Sequence, residues 1–220
     1  MLGLYIGIIL LLNIPYVQHQ MSVLVAKELS SVLGSRLTIG RINIGLLNRI
    51  IIDDLMLNDQ SGKELLKVGR LSAKFEILPL FNGRISIGNV QLFSFNANLE
   101  KPTPQATSNF QFVLDAFASK DTVKKKSNLD LRINSLLIRR GRVSYDVLSA
   151  ERTPGKFNPQ HIRLSNILAN ISLKALQSDS INAAIKRMSI EEDHSGFELK
   201  KLSLKIVANN CLLYTSPSPR

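Results

Sequence analysis

The sequence predicts a mainly β chain in which an apolar N-terminal span and an amphipathic helix lead into a curved, groove-forming antiparallel sheet. Three observations carry that expectation. The opening residues, MLGLYIGIILLLNIPYV, are almost wholly apolar. The residues after them repeat apolar side chains at three- and four-residue steps. From Leu37 onward the steps become two, then three, then two, and this signature recurs along the chain.

Leu2 to Leu12 carries no charge. A helix needs about 20 apolar residues to cross a bilayer, and roughly 17 at the least. Residues 1–17 sit at that limit and are expected to form a transmembrane anchor truncated at its start. A cleaved export signal is the alternative, but the segment lacks a basic leading region and no small-residue cleavage site follows it. On either reading the remainder is exported.

Residues 18–35 read as the amphipathic helix. Met21, Leu24, Val25, Leu29, Val32 and Leu33 fall on one side, while Lys27, Glu28, Ser30 and Ser31 take the other. Gly34 is a natural stop. Such a helix either lies on a bilayer or plugs one end of the β structure; the plug needs only ordinary packing and is the expectation.

The β signature appears first as Leu37, Ile39, Ile42, Ile44 and then as Ile50, Ile52, Leu55, Leu57. Leu66, Val68, Leu71, Ala73 and Ile85, Ile87, Val90, Leu92 follow, then Leu131, Ile133, Leu136, Ile138 and Ile162, Leu164, Ile167, Ala169. Ala183, Ile185, Met188, Ile190 and Phe197, Leu199, Leu202, Leu204 complete the set. A step of two keeps side chains on one face of a strand. A step of three changes face unless one extra residue is absorbed, as in a β-bulge. Polar pairs stand at those centres, among them Gly40-Arg41, Asp53-Asp54, Gly69-Arg70, Gly88-Asn89, Asn134-Ser135 and Ser165-Asn166. Each strand is therefore expected to bend near its middle and keep one apolar face.

The expected groove lining is Leu37, Ile39, Ile42, Ile44, Ile50, Ile52, Leu55, Leu57, Val68, Leu71, Ile85, Ile87, Val90, Leu92, Leu131, Ile133, Leu136, Ile138, Ile162, Leu164, Ile167, Phe197, Leu199, Leu202 and Leu204. Periodicity alone leaves two forms open: an open apolar groove, or the sealed inner face of a β-sandwich.

Two β stretches, 36–100 and 129–210, flank an interruption. Residues 101–128 read as a Pro-containing loop, a short helix after Asn109, and a basic linker around Lys124-Lys125-Lys126. Thr153 to His161 forms another loop, with two prolines. Residues 211–220, CLLYTSPSPR, abandon the alternation and are expected to be non-native, which removes Cys211 from functional argument.

Composition narrows the function classes. Lys and Arg number 28 against 17 Asp and Glu, a net charge of +11. Trp is absent and aromatics make up 6%, too sparse for base-stacking platforms, so no nucleic-acid partner is expected. Cys211 has no second cysteine to pair with, and His19, His161 and His194 lack ligand spacing. The sequence holds no Gly-rich phosphate loop, GxSxG, HExxH or CxxC. Asp53-Asp54 and Glu191-Glu192-Asp193 sit at a bend and a turn rather than across a pocket. No enzyme, catalytic residue, cofactor or metal is expected.

The apolar span, Ile14-Pro15, Val17-Gln18, the amphipathic helix, Arg41-Ile42-Asn43-Ile44 and Ile50-Ile51-Ile52-Asp53-Asp54 occur in a suggestive order. Phe110-Gln111-Phe112-Val113-Leu114-Asp115 and Ile138-Arg139-Arg140-Gly141-Arg142-Val143-Ser144-Tyr145-Asp146 follow. Over roughly Leu4 to Asn210 the chain resembles the N-terminal region of the TamB family of Bacteroides-type bacteria, within the AsmA-like group. The resemblance implies an inner-membrane anchor, a β body in the periplasm shaped as a β-taco (an open, curved sheet with an apolar interior), and no enzymatic activity. It further implies membrane phospholipid as cargo between the inner and outer membranes and an outer-membrane barrel protein of the assembly machinery as partner. The alternative function is a chaperone for outer-membrane barrels that acts by strand pairing, without lipid transport.

Overall fold

A computed structural model of the chain describes residues 3, 7, 10–45, 48–76, 86–117, 134–177, 180–209 and 212–217. Helix α1 spans Pro15–Leu33. Proline suits its first turn, where an N–H has no intrahelical partner. Gly34 ends it in the left-handed conformation, φ 62°.

The face that α1 buries differs from the expected one. Gln18, Ser22, Ala26 and Leu33 are buried, whereas Leu24 and Val32 are 64% and 67% exposed. Ser22, Ala26 and Ser30 stand four residues apart, so their small side chains share one face and let the helix approach strand β1 (Leu37–Gly45). Ser30 Oγ accepts the Leu37 N–H at 2.9 Å and donates to the Ala26 carbonyl at 2.6 Å. Asn13 Nδ2 donates to the Ile44 carbonyl at 2.9 Å, and Gln18 Nε2 to Asn43 Oδ1 at 2.7 Å. Polar grips on β1, rather than an apolar stripe, fix the helix. The plug exists only at its C-terminal end.

The expected transmembrane helix is not supported: among the described residues no helix is long and apolar enough to cross a membrane. Leu10–Leu12 are helical, but the chain turns at Asn13-Ile14 and α1 begins afresh at Pro15. Most of Met1–Ile9 lies outside the described residues.

Strands β2 (Arg49–Asn58), β3 (Glu64–Glu76), β4 (Ser86–Lys101), β5 (Ser135–Val147), β6 (His161–Gln177), β7 (Ser180–Glu192), β8 (Glu198–Asn209) and β9 (Leu212–Pro217) follow β1 in a single sheet ordered as in the chain. Among the described residues that sheet has nine strands and is not closed, with β1 and β9 at its edges. Neighbours are antiparallel except β4 and β5, which are parallel. The expectation of a purely antiparallel sheet is corrected here. A parallel pair needs a connection long enough to return the chain to the starting end. The interruption after Lys101, which contains helix α2 (Gln111–Phe117), supplies it. Asn134 N–H then meets the Gly88 carbonyl at 2.7 Å, at the start of β4.

Leu212–Pro217, set aside on sequence as non-native, pairs antiparallel with β8. Backbone pairing to a free edge requires no side-chain alternation.

The hydrophobic core sits at one end of the sheet. Ala26, Leu33, Leu37, Leu57 and Leu65 are buried there. Phe110, Phe112 and Val113 pack on them beside Ile39, Leu66 and Leu99. Leu65 joins Leu66 because the β2–β3 register shifts between Leu57 and Asn58, leaving Leu65 as an extra residue.

Candidate functional site

Register turns the apolar quartets into continuous ladders. Ile44, Ile50, Ala73, Val90, Leu136, Ile171, Ile185 and Leu204 are successive cross-strand partners from β1 to β8. Ile42, Ile52, Leu71, Leu92, Ile138, Ala169, Met188 and Leu202 form a second ladder two residues further in. Beyond the bend runs a third, Ile39, Leu55, Val68 and Phe95. A fourth joins Leu37, Leu57, Leu66, Ala97, Val143 and Leu164.

Between the second and third ladders one residue per strand drops out of pairing. Arg41 faces Asp53 and Ile39 faces Leu55, so Gly40 and Asp54 are skipped. Gly69 and Ser94 are skipped in the same way. Asp54, Ser94, Arg140 and Asn166 take the left-handed conformation, with φ of 55°, 53°, 56° and 48°. This is the extra residue of a bulge. It keeps both flanking ladders on one face and sends the central pair to the other.

The crease needs small residues where neighbours close on it. A Cβ on Gly40 would lie 3.0 Å from the Asp54 Cβ. One on Gly141 would overlap the Phe95 ring, 2.7 Å from Cζ, and stand 3.1 Å from the Ile167 Cβ.

The trough is buried at the crease and open along its walls. Ile42, Val68, Ile167 and Ala169, which flank the bend, are buried. Every member of the outermost ladder, Ile44 through Leu204, is half-buried and none is sealed. α1 runs along the β1 edge, and its apolar packing, with that of the Phe110–Val113 segment, falls at the end around Leu37 and Leu57.

Several expected lining residues lie elsewhere. Ile85, Leu131 and Ile133 fall outside the described residues. Ile87 pairs with Phe75 beyond a bulge at Gly88, one step past the Ala73–Val90 rung of the first ladder. Phe197 is 58% exposed in the β7–β8 turn and lines nothing. Ile162 partners Tyr145, which partners Leu99, extending the apolar face past the fourth ladder. Leu199 sits opposite Ile190.

Phe95, Ala97, Gly141, Val143 and Ile171 belong to the face although the sequence reading passed over them. In β4 the crease pair is Phe93-Ser94, whose aromatic member hides it, and in β5 it is Arg139-Arg140. The polar pairs Gly88-Asn89 and Asn134-Ser135 imitated creases; the first is a lesser bulge and the second a strand start.

Acidic residues at the strand ends hold turns. Glu192 is 2% exposed. Its carboxylate accepts the Ser195 N–H at 2.7 Å, the Ser195 hydroxyl at 2.5 Å, and the His194 and Arg163 N–H groups at 3.3 Å. Burial pushes this carboxyl up, but the Ser195 hydroxyl and the three backbone donors outweigh it and hold it at about 2. Asp59 closes the β2–β3 turn in the same manner: burial raises its carboxyl, and donors led by the Ser61 hydroxyl bring it below the usual range. His161 Nδ1 lies 2.8 Å from Asp146 and Nε2 lies 3.0 Å from the Ala150 carbonyl, which pins the loop before β6. These groups are engaged in local structure: Glu192 stands opposite Leu164, at the end of the fourth ladder, with its carboxylate taken up by the β7–β8 turn. Among the described residues no group of three or more His, Cys, Asp or Glu is placed to hold a metal ion.

No protein-family model matches this chain, and no curated protein matches it.

Proposed function

We propose that the chain is a non-enzymatic, membrane-associated carrier of phospholipid acyl chains, of the TamB/AsmA-like kind, with its apolar β face as the path. One observation carries the reading: two apolar ladders run unbroken from β1 to β8 and every member of the outer one is only half-buried. A soluble protein rarely leaves so large an apolar face uncovered without a ligand or partner for it. Each methylene moved from water to such a surface gains about 0.8 kcal/mol. Eight strands about 4.8 Å apart give a path of roughly 34 Å. One acyl chain spans about half of a bilayer core about 30 Å thick, so the path accommodates its full length. On this reading the body lies in the periplasm beside an inner-membrane anchor and delivers lipid toward an outer-membrane barrel partner. Strand pairing with barrel clients is less favoured at β1, because Ser30 and Asn13 already bond its backbone.

Photocrosslinking tests the reading. With a photoreactive residue at Leu92 or Leu136, the full chain in phospholipid vesicles should form lipid adducts, and Leu136→Asp should abolish them while leaving the circular dichroism spectrum unchanged. Absence of lipid adducts at both positions would overturn it.

A further inference from the structure

The face opposite the trough carries a continuous polar furrow. Arg41, Asp53, Arg70, Phe93 and Arg139 are successive partners there, one residue out of step with the Ile42 ladder and so on the other face. Arg70 Nε holds Asp53 at 2.6 Å, and Arg139 lies 6.0 Å over the Phe93 ring. Three cavities follow this line. The first, of about 600 Å³, is lined by Arg41, Arg70 and Arg140 with Asp53 and Asp54. It shares Ser94 and Arg140 with a second of about 300 Å³, to which Arg142 also contributes. That one shares Asn96, Arg142 and Asn166 with a third of about 500 Å³, which reaches Arg163 and Asp193.

The carboxylates of the furrow are partly engaged. Asp53 is held by Arg70 on two atoms, and Asp193 accepts the Ser165 hydroxyl at 2.5 Å. Among the described residues no ion pair joins Arg41, Arg140, Arg142 or Arg163. Arg140 is the most informative of them. Its backbone is left-handed at φ 56°, a conformation that glycine or asparagine adopts more cheaply. An arginine there sets a guanidinium where the first two cavities meet.

We propose that this furrow binds phosphate-class anions, with Arg140 at its centre and Arg41 and Arg142 on either side. The planar guanidinium fork matches phosphate oxygens two at a time, and arginine rather than lysine lines all three cavities. The site lies on the polar face, so it stands or falls independently of lipid in the trough. A free phosphate and the phosphate of a lipid headgroup present the same oxygens.

The experiment uses the full chain with two probes: inorganic phosphate by calorimetry, and flotation with vesicles of phosphatidylglycerol or of phosphatidylcholine. The paired variant Arg140→Gln with Arg142→Gln should weaken binding by about tenfold or more, the worth of one charge-assisted hydrogen bond. The charge-matched control Lys27→Gln with Lys156→Gln should change it by less than about twofold. Arg140→Asn should melt no lower than the parent chain yet bind more weakly, separating recognition from folding. Saturable phosphate binding lost in the arginine variants establishes a free-anion site; binding confined to phosphatidylglycerol vesicles and lost in the same variants establishes a headgroup site. No binding of either probe, or equal loss in the lysine control, overturns the proposal.

Discussion

The ring of Phe95 in β4 lies against the bare α-carbon of Gly141 in β5, across the parallel pair, with the Ile167 Cβ closing the far side. A methyl at position 141 has nowhere to go unless the ring moves. Gly141→Ala should therefore destabilise the chain by about 1–3 kcal/mol in urea titrations. Pairing it with Phe95→Leu should recover part of that loss, since the two sites share one contact.

Ser30 should matter more than its position on a helix suggests. Ser30→Ala leaves the Leu37 N–H without its acceptor and costs about 1–2 kcal/mol by urea denaturation. Because the freed backbone lies on β1, an edge strand, the variant should also self-associate at lower concentration in size-exclusion chromatography.

Glu192 confers acid sensitivity with a defined sign. Its folded carboxyl sits at about 2, below the ordinary 4.5. The stabilisation is present in full above the unfolded value and fades as pH falls from about 5 toward 2. Chemical denaturation over that window should show the loss in the parent chain and a flatter profile in Glu192→Gln. At pH 7, Glu192→Ala should cost about 2–3 kcal/mol, the worth of hydrogen bonds to a charged acceptor.

Truncations should separate the sealed end from the open walls. Leu57 is buried beneath α1 and the Phe110–Val113 segment, so Leu57→Ala should cost about 2–4 kcal/mol. Leu136 on the outermost ladder is only half-buried; Leu136→Ala should cost less than Leu57→Ala, about 1–2 kcal/mol, because part of its side chain is in contact with water already. Equal costs in matched urea titrations would mean that the walls are packed like the end.

Much of the sheet was legible in the sequence because the two-three-two step is a direct imprint of a bent strand. Ile39 and Ile42 around Gly40-Arg41, and Leu164 and Ile167 around Ser165-Asn166, read correctly because the crease pair is polar while its flanks are apolar. β4 read out of phase because Phe93 gave the pair an apolar member, although its cross-strand place beside Arg70 and Arg139 is on the polar face. The buried side of α1 was illegible for a different reason. Hydrophobic periodicity marks Leu24 and Val32, but the contact with β1 is made by Ser22, Ala26 and Ser30, whose value is small size and hydrogen bonding. The parallel β4–β5 pair depends on where a long connection returns, which no local pattern encodes.

Because spatial order in the sheet repeats chain order from β1 to β9, each new strand needs only its predecessor as a template. The protein can zip up progressively during synthesis, each antiparallel strand docking on the strand made just before it. The exception is β5, which must wait for the whole excursion after β4 to emerge before it can dock. Ribosome pausing within that excursion should leave a stable half-sheet ending at β4, its last edge held open for a partner that arrives late.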